Sequence, residues 1–136
     1  MDISVVIGSN SSPAILTSCL EALEPQSSGI EVLVYESKAS PPLIKSRFGW
    51  ARFVEVPGAL VPHLWTGGIE QSTGDIVALT ISTMIPAPDW IEAIRRHHLE
   101  HDVVAGAIDP GPSLRPSDWA EYLCRYSPDM LPFDPH

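Results

Sequence analysis

The sequence predicts an α/β domain, organised as a three-layer α/β/α sandwich around a mostly parallel sheet. Short apolar runs rich in β-branched residues alternate with segments whose leucines and isoleucines repeat at helical spacing. Turns rich in glycine, proline and serine separate these segments. The 136 residues are enough for one domain with a sizeable core. We assign that single domain to 1–126 and expect 127–136 to be an irregular tail.

The first third of the chain predicts a strand, a helix and a second strand. Residues 3–7 form a β-branched run, and Ser12 with Pro13 begins a helix, as an N-cap followed by proline at the first helical position. The leucines at 16, 20 and 23 give that helix its period, and an apolar run at 30–35 comes next. Two strands joined by a helix form a βαβ unit, whose strands are parallel.

The rest of the chain continues the alternation. Residues 76–79, bounded by Gly-Asp and a polar loop, are expected to be a strand buried on both faces. The other predicted elements are an irregular stretch or one short helix in 37–50, a strand at 53–56, a helix from Pro62 to Gly74, a helix at 88–99, a fifth strand at 103–108 and a last helix at 118–126 capped by Ser117.

Charge and composition exclude several classes of protein. The formal net charge is −9, whereas nucleic-acid binding depends on basic residues that release counterions, so we expect no nucleic-acid partner. No apolar run approaches the roughly 20 residues of a transmembrane helix, and the N-terminus lacks a basic leader, so we expect a cytoplasmic protein. Cys19 and Cys124 have no metal-type spacing and are expected to be reduced packing residues.

Several segments together resemble one family. Gly-Asp-Ile-Val-Ala-Leu at 74–79, with Pro-Ala-Pro-Asp-Trp at 86–90, resembles the central motif of the family 2 glycosyltransferases. Residues 5–23 are similar to that family's opening strand and helix, 31–36 to its second strand, and 119–126 to the segment after its fifth strand in some bacterial members. The resemblance covers nearly the whole chain but only the nucleotide-sugar-binding half of a usual member.

The resemblance implies a truncated GT-A fold, that of the nucleotide-diphospho-sugar transferases. The family binds a divalent metal through an acidic Asp-x-Asp cluster, and the matching positions here are Ile81, Ser82 and Thr83. Hydroxyl and alkyl side chains are poor ligands for Mg²⁺ or Mn²⁺. We therefore predict neither a metal site nor a catalytic residue in this chain, and expect Mg²⁺ or Mn²⁺ only if the active site is completed from elsewhere.

Five residues are the candidates for nucleotide binding. Open α/β sheets place ligands at the carboxyl ends of their strands, where small side chains and a helix N-terminus admit phosphate. A carboxylate at a strand end can accept hydrogen bonds from a base or a ribose. The candidates are Ser9, Asn10, Ser11, Glu36 and Asp75, of which Asp75 could instead order the turn before its strand.

The basic residues raise two questions: which of them could neutralise a diphosphate, and whether the histidines could bind zinc. Four of the eight cations (Lys38, Lys45, Arg47 and Arg52) fall in one short segment, and a metal-free diphosphate site would need Arg47, Arg52 or His63 nearby. His97 and His101 lie one helical turn apart, but no third zinc ligand is evident, and basic groups also stabilise a helix C-terminus.

Three functions stay open at this point. The chain could be a glycosyltransferase-like enzyme using a UDP-sugar type of donor, impaired alone because the metal motif and the acceptor half are missing. It could be a non-catalytic nucleotide-binding module of the same fold. It could also be an assembly module, a homo-oligomer formed through apolar residues of the last helix and tail: Trp119, Tyr122, Leu123, Tyr126, Met130, Leu131 and Phe133.

Overall fold

The computed structural model describes residues 1–111 and 115–129 of the chain. They fall into two compact units, Met1–Arg95 and Arg96–His136. The first unit contains the sheet, and the second contains the last helix. The predicted tail residues Met130, Leu131 and Phe133 lie outside the described residues.

The first unit is built on a four-stranded sheet. Its strands are β1 (Ile3–Ser9), β2 (Glu31–Glu36), β3 (Arg52–Glu55) and β4 (Ile76–Ile81). Their order is β3-β2-β1-β4, and all three pairings are parallel. The α/β class and the parallel sheet are therefore confirmed, and the topology is that of a Rossmann-like α/β fold.

In the part of the chain that the structure describes, five α-helices connect or follow these strands: α1 (Pro13–Leu23), α2 (Pro42–Arg47), α3 (Val61–Gln71), α4 (Trp90–His97) and α5 (Pro116–Tyr126). Two 3-10 turns, Glu24–Gln26 and Ser127–Asp129, extend the ends of α1 and α5. For 37–50 the sequence predicted either an irregular stretch or one short helix, and α2 is that short helix. Ser12 is the N-cap residue of α1, as predicted, although its hydroxyl makes no capping hydrogen bond.

Helices cover both faces of the sheet because side chains alternate along each strand. Ile3, Val5 and Ile7 of β1 contribute to a core that includes the buried leucines of α1 and Ile91 of α4. Val6 points to the opposite face, where it joins Leu33, Tyr35 and Leu64 of α3. We refer to these as the α1 face and the α3 face.

A pair of glycines lets α3 lie close to the sheet. A Cβ atom added at Gly68 would lie 2.1 Å from Val6 Cγ1, and one added at Gly67 would lie 2.8 Å from Tyr35 Cε1. Carbon atoms pack at about 3.5–4.0 Å. The helix can therefore hold this distance from the sheet only with glycine at these positions.

The prediction that the fourth strand is buried on both faces is wrong for one face. Ile76 is buried, but the side chains of Val77 and Leu79 are 36% and 42% exposed. They share the α3 face with Ser4 and Val6, their neighbours in β1. Strand β4 lies at the edge of the sheet, and α3, although Trp65 Nε1 donates to Thr80 O at 2.8 Å, leaves the side chains of Val77 and Leu79 partly exposed.

The predicted fifth strand is also wrong. Residues 103–108 have no strand pairing in the described part of the chain, and Val103 is 87% exposed. The apolar run lacks the hydrogen-bonded neighbour that would turn it into a strand. Instead, Ile108 N donates to Asp129 O at 3.0 Å, a contact with the end of the last helix.

The last helix begins before the predicted Ser117 cap. Its N-cap residue is Arg115, with Pro116 at the first helical position. The Asp118 carboxylate accepts a hydrogen bond from the backbone N of Arg115 at 3.0 Å, which satisfies one free donor at the helix start. Within the same unit, the buried Tyr122 donates its hydroxyl proton to Ile108 O.

Helix α4 is shorter than the predicted 88–99, since only Trp90–His97 is helical in this segment. Among the described residues, no helix combines the length and the apolar character needed to cross a membrane.

Candidate functional site

The carboxyl ends of the four strands meet at one edge of the sheet. Because all strands are parallel, Ser9, Glu36, Glu55 and Ile81 end them at the same edge. The order β3-β2-β1-β4 reverses its direction of growth between β1 and β4. In open α/β sheets, that switch point opens a crevice in which ligands bind.

The loops after β1 and β4 meet at this switch point. The hydroxyl oxygens of Ser11 and Ser82 are 2.6 Å apart and share a hydrogen bond. The backbone N of Ser82 also donates to Gly8 O at 3.1 Å. Ser82 is consequently buried, while Asn10 is exposed at the rim.

Helix α1 begins directly after the first loop. Its first helical residue is Pro13, which has no N–H, and the backbone N–H groups of Ile15 and Leu16 both donate to Ser12 O. Among the described residues, the N–H of Ala14 is the one in this first turn without a backbone acceptor, and it lies at the switch-point edge of the sheet. The macrodipole of an 11-residue helix favours negative charge at this end. The hydroxyls of Ser11 and Ser82 and the N-terminus of α1 thus lie at the same edge of the sheet, and this combination suits an anion such as a phosphate.

The three positions that match the acidic motif carry no charge. Ile81 is the last residue of β4 and half-buried, Ser82 is buried against Ser11, and Thr83 is exposed. Within residues 1–111 and 115–129, no three His, Cys, Asp or Glu side chains gather in a metal-binding group.

Glu36 ends β2, next to the switch point, and its carboxylate contacts Ser40 and Lys45. It pairs with Ser9 across β1 and β2, so both side chains point to the α1 face. The carboxylate is 1% exposed; Oε2 accepts the Ser40 hydroxyl proton at 2.5 Å, and Lys45 Nζ lies 3.3 Å from Oε1. That ion pair lacks hydrogen-bond geometry, so Oε1 accepts no hydrogen bond from the described residues.

Lys45 is the cation that sequence reasoning did not single out. It appeared only as one of four cations in a basic segment, and its side chain is 38% exposed beside the buried Glu36. Its place in the last turn of α2 offered no local signal for a partner on β2.

The three basic residues predicted as candidates for contact with a diphosphate, Arg47, Arg52 and His63, lie in different places. Arg47 forms an ion pair with Glu21, 2.7 Å between Nη2 and Oε1. Arg52 begins β3, at the amino edge of the sheet, and is exposed. His63 lies in the first turn of α3, which starts at the carboxyl edge, and is exposed as well.

Asp75 is separated from the other four candidates. It precedes β4, so it lies at the amino edge of the sheet, and its Oδ2 accepts a hydrogen bond from Asp2 N at 3.0 Å. This contact is the turn-ordering use that the sequence left open. Ser9, Asn10, Ser11 and Glu36 are brought together at the carboxyl edge.

A polar network holds the same amino edge. Glu31 Oε2 accepts hydrogen bonds from the Ser4 hydroxyl and from Thr73 N, and Ser4 Oγ in turn accepts from Gly74 N at 2.8 Å. Desolvation raises the pKa of Glu31, but the hydrogen bonds from Ser4 and Thr73 outweigh it, so the net pKa is lowered. These hydrogen bonds join β1, β2 and the turn before β4, so Glu31 and Ser4 have a structural role at this edge.

An open groove of about 280 Å³ lies elsewhere in the first unit, lined by Pro25, Gln26, Ser28, Pro88, Asp89, Ile91, Glu92 and Arg95. Its walls come from the α1–β2 connection and from α4. The Gln26 amide bridges them, because Nε2 donates to Ala87 O at 2.7 Å and Oε1 accepts from Ile91 N at 2.9 Å. Since the α1–β2 connection enters the amino end of β2, the groove is separate from the predicted site.

The last helix carries part of the surface predicted for assembly. On α5, Trp119 and Leu123 are 44% and 48% exposed, whereas Tyr122 is buried. A homo-oligomer through this helix stays a prediction.

Comparisons with protein-family models, with curated proteins and with solved structures found no match to this chain. The resemblance of its sequence to the family 2 glycosyltransferases consequently stays a prediction.

Proposed function

We propose that the chain is a GT-A-like nucleotide-sugar-binding module that holds a nucleoside diphosphate at the carboxyl edge between β1 and β4. As a single chain it binds the donor without a divalent metal and does not transfer the sugar. The proposal begins from the resemblance to the family 2 glycosyltransferases, and the geometry of the site supports it without identifying the ligand.

One observation carries the proposal. The loop after β1, which contains Asn10 and Ser11, and the loop after β4, which contains Ser82, meet at the switch point of a parallel sheet beside the start of α1. Topology alone favours ligand binding in this crevice. The helix N-terminus and the hydroxyls favour an anion.

A diphosphate bound without a divalent metal needs another positive charge nearby, and in this proposal Lys45 supplies that charge. Glu36 holds the Lys45 ammonium at the carboxyl edge, at 3.3 Å, and the lysine side chain keeps 38% of its surface exposed. An ammonium group can donate three hydrogen bonds and so can contact phosphate oxygens while it stays near the carboxylate. Glu36 then acts by positioning Lys45.

Titration calorimetry with UDP and with UDP-sugars, each with and without Mn²⁺, tests the proposal. We expect binding that Mn²⁺ does not strengthen, and no release of UDP from the UDP-sugar over hours. Binding that needs Mn²⁺, together with sugar transfer, would instead support the active glycosyltransferase. Absence of binding at millimolar UDP would refute the nucleotide site and leave the assembly function.

A pair of isosteric variants locates the site. Asn10→Asp adds one negative charge on the exposed rim, and Gln71→Glu adds the same charge at the exposed end of α3. One charge about 4 Å from a phosphate costs about 1 kcal/mol in water, or roughly a fivefold loss of affinity. We expect that loss for Asn10→Asp and none for Gln71→Glu; equal effects would place the nucleotide elsewhere.

A further inference from the structure

The sheet has two edges, and only one of them is protected. Strand β3 is four residues long and carries the exposed charges of Arg52 and Glu55. Strand β4 is six residues long, Ile-Val-Ala-Leu-Thr-Ile, with no charge and no proline. Natural sheets normally blunt a free edge with charges, prolines or short strands, because a bare edge pairs with other chains.

The hydrogen bonds to β1 show which groups of β4 point outward. Ile76 N donates to Asp2 O at 3.0 Å, and Ser82 N donates to Gly8 O at 3.1 Å. Residues with even numbers therefore bond to β1, and by alternation the N–H and C=O groups of Val77 and Leu79 point away from it. Within residues 1–111 and 115–129, none of these four groups has a backbone partner.

Apolar side chains accompany this free edge. On the α3 face, Val77 and Leu79 are 36% and 42% exposed, and Ile69 of α3 is 46% exposed. Strands of a parallel sheet are normally covered on both faces. The edge therefore combines outward backbone groups with apolar surface, and an added strand covers both.

We propose that β4 pairs antiparallel with β4 of a second copy of this chain, which joins the two four-stranded sheets into a single larger sheet. The two-fold axis passes at Ala78. Val77 of each copy then lies opposite Leu79 of the other and exchanges both hydrogen bonds with it, so the outward groups of each copy are satisfied. The ladder ends near Ile81, whose O already accepts Met84 N at 3.0 Å.

Features of the strand favour a second copy as its occupant. A two-fold pairing brings identical segments together, and the uncharged β4 sets no like charges opposite each other. The residue on the axis is alanine, which fits a pair that brings Cα atoms to about 4.5 Å. By contrast, β3 carries the exposed charges of Arg52 and Glu55, and charged side chains on an edge strand oppose pairing with another strand.

The net charge of −9 on each copy opposes the pairing. Added salt screens this repulsion, since the screening length is about 10 Å at about 0.1 M ionic strength. The dimer should therefore become tighter as NaCl rises from about 20 to about 300 mM, whereas a contact made by ion pairs would become weaker.

Sedimentation equilibrium of the full chain between about 1 and about 100 µM measures the pairing. We expect a dimer for the unaltered chain and a dimer weaker by about tenfold or more for Leu79→Lys, since a lysine on an edge strand opposes pairing. Leu123→Lys is the matched control, because Leu123 is 48% exposed on α5. A monomeric unaltered chain refutes the proposal; so does a dimer that Leu123→Lys breaks and Leu79→Lys leaves intact.

A disulfide tests the register. In a Cys124→Ser background, Ala78→Cys should give a covalent dimer on mild oxidation, since the two Cβ atoms face each other across the axis. Thr66→Cys, at an exposed position on α3, should not. A dimer that persists without cross-linking at residue 78 would refute this pairing, and near-ultraviolet circular dichroism of each variant verifies that the fold is retained.

Discussion

Gly68 lies where α3 crosses β1, and alanine at this position should destabilise the protein. The added Cβ would lie 2.1 Å from Val6 Cγ1 and 3.1 Å from Val6 Cγ2. To restore contact at about 3.5 Å, α3 and the sheet must separate by about 1.4 Å, or Val6 must leave its rotamer. Overpacking of this kind costs about 1–3 kcal/mol.

Helix propensity acts in the opposite direction. Alanine in a helix interior is about 1 kcal/mol more favourable than glycine. Because 2.1 Å is far inside van der Waals contact, we take the upper part of the overpacking range and expect a net loss of about 1–2 kcal/mol in the free energy of unfolding. Urea denaturation followed by tryptophan fluorescence measures it. Gly49→Ala, which would meet only Ser46 O at 3.6 Å, is the control and should be nearly neutral.

A double-mutant cycle tests the cause of the loss. Val6→Ala should by itself cost about 2 kcal/mol, because it empties a buried site. It also removes both methyl groups that the new Cβ would meet, and leaves an atom at 3.2 Å. The free energy of unfolding that the double variant loses should therefore be about 1–2 kcal/mol smaller than the sum of the losses of the two single variants. Additive effects, or a Gly68→Ala protein as stable as the parent, would refute this account of the helix–sheet distance.

Three further predictions concern stability and reactivity. Glu31→Gln should lower the free energy of unfolding by about 1 kcal/mol at pH 7, since Ser4 donates to the charged form. Because the folded pKa of Glu31 is lowered, its contribution is complete above about pH 4.5 and disappears as the pH falls through the folded pKa, so urea titrations at pH 7 and pH 3 should differ in the size of the effect. Burial raises the pKa of Cys19 to about 11, so a disulfide reagent at pH 8 should modify only the exposed Cys124 until the chain is unfolded; two fast thiols would contradict the burial. Gln26→Ala removes both amide contacts to the start of α4 and should cost about 1 kcal/mol by urea denaturation, with no change expected if solvent replaces them equally well.

The elements of the first unit were largely predictable because their signals are local. A β-branched run such as residues 3–7, followed by small polar residues, has few alternatives to a strand, and β1 extends it by Gly8 and Ser9. Proline at the first helical position identified the starts of α1 and, within one residue, of α3. Residues 103–108 show the limit of such signals, because an apolar run becomes a strand only where another strand offers it hydrogen bonds.

The candidate site was predictable only in part. Strand ends pointed to Ser9, Asn10, Ser11 and Glu36, since the carboxyl ends of parallel strands share one edge. The ion-pair partner of Glu36 could not be found in this way, because Lys45 approaches through the fold of the β2–α2 connection rather than through a sequence motif.

Composition and short-range periodicity were enough to establish the α/β class, the approximate residue ranges of the four strands that form the sheet, and the lack of charge at residues 81–83. The order β3-β2-β1-β4, the unprotected edge at β4 and the meeting of Ser11 with Ser82, 71 residues apart, became visible only in the folded chain. Contacts of that separation depend on how all the elements pack together, and no local pattern of residues encodes them.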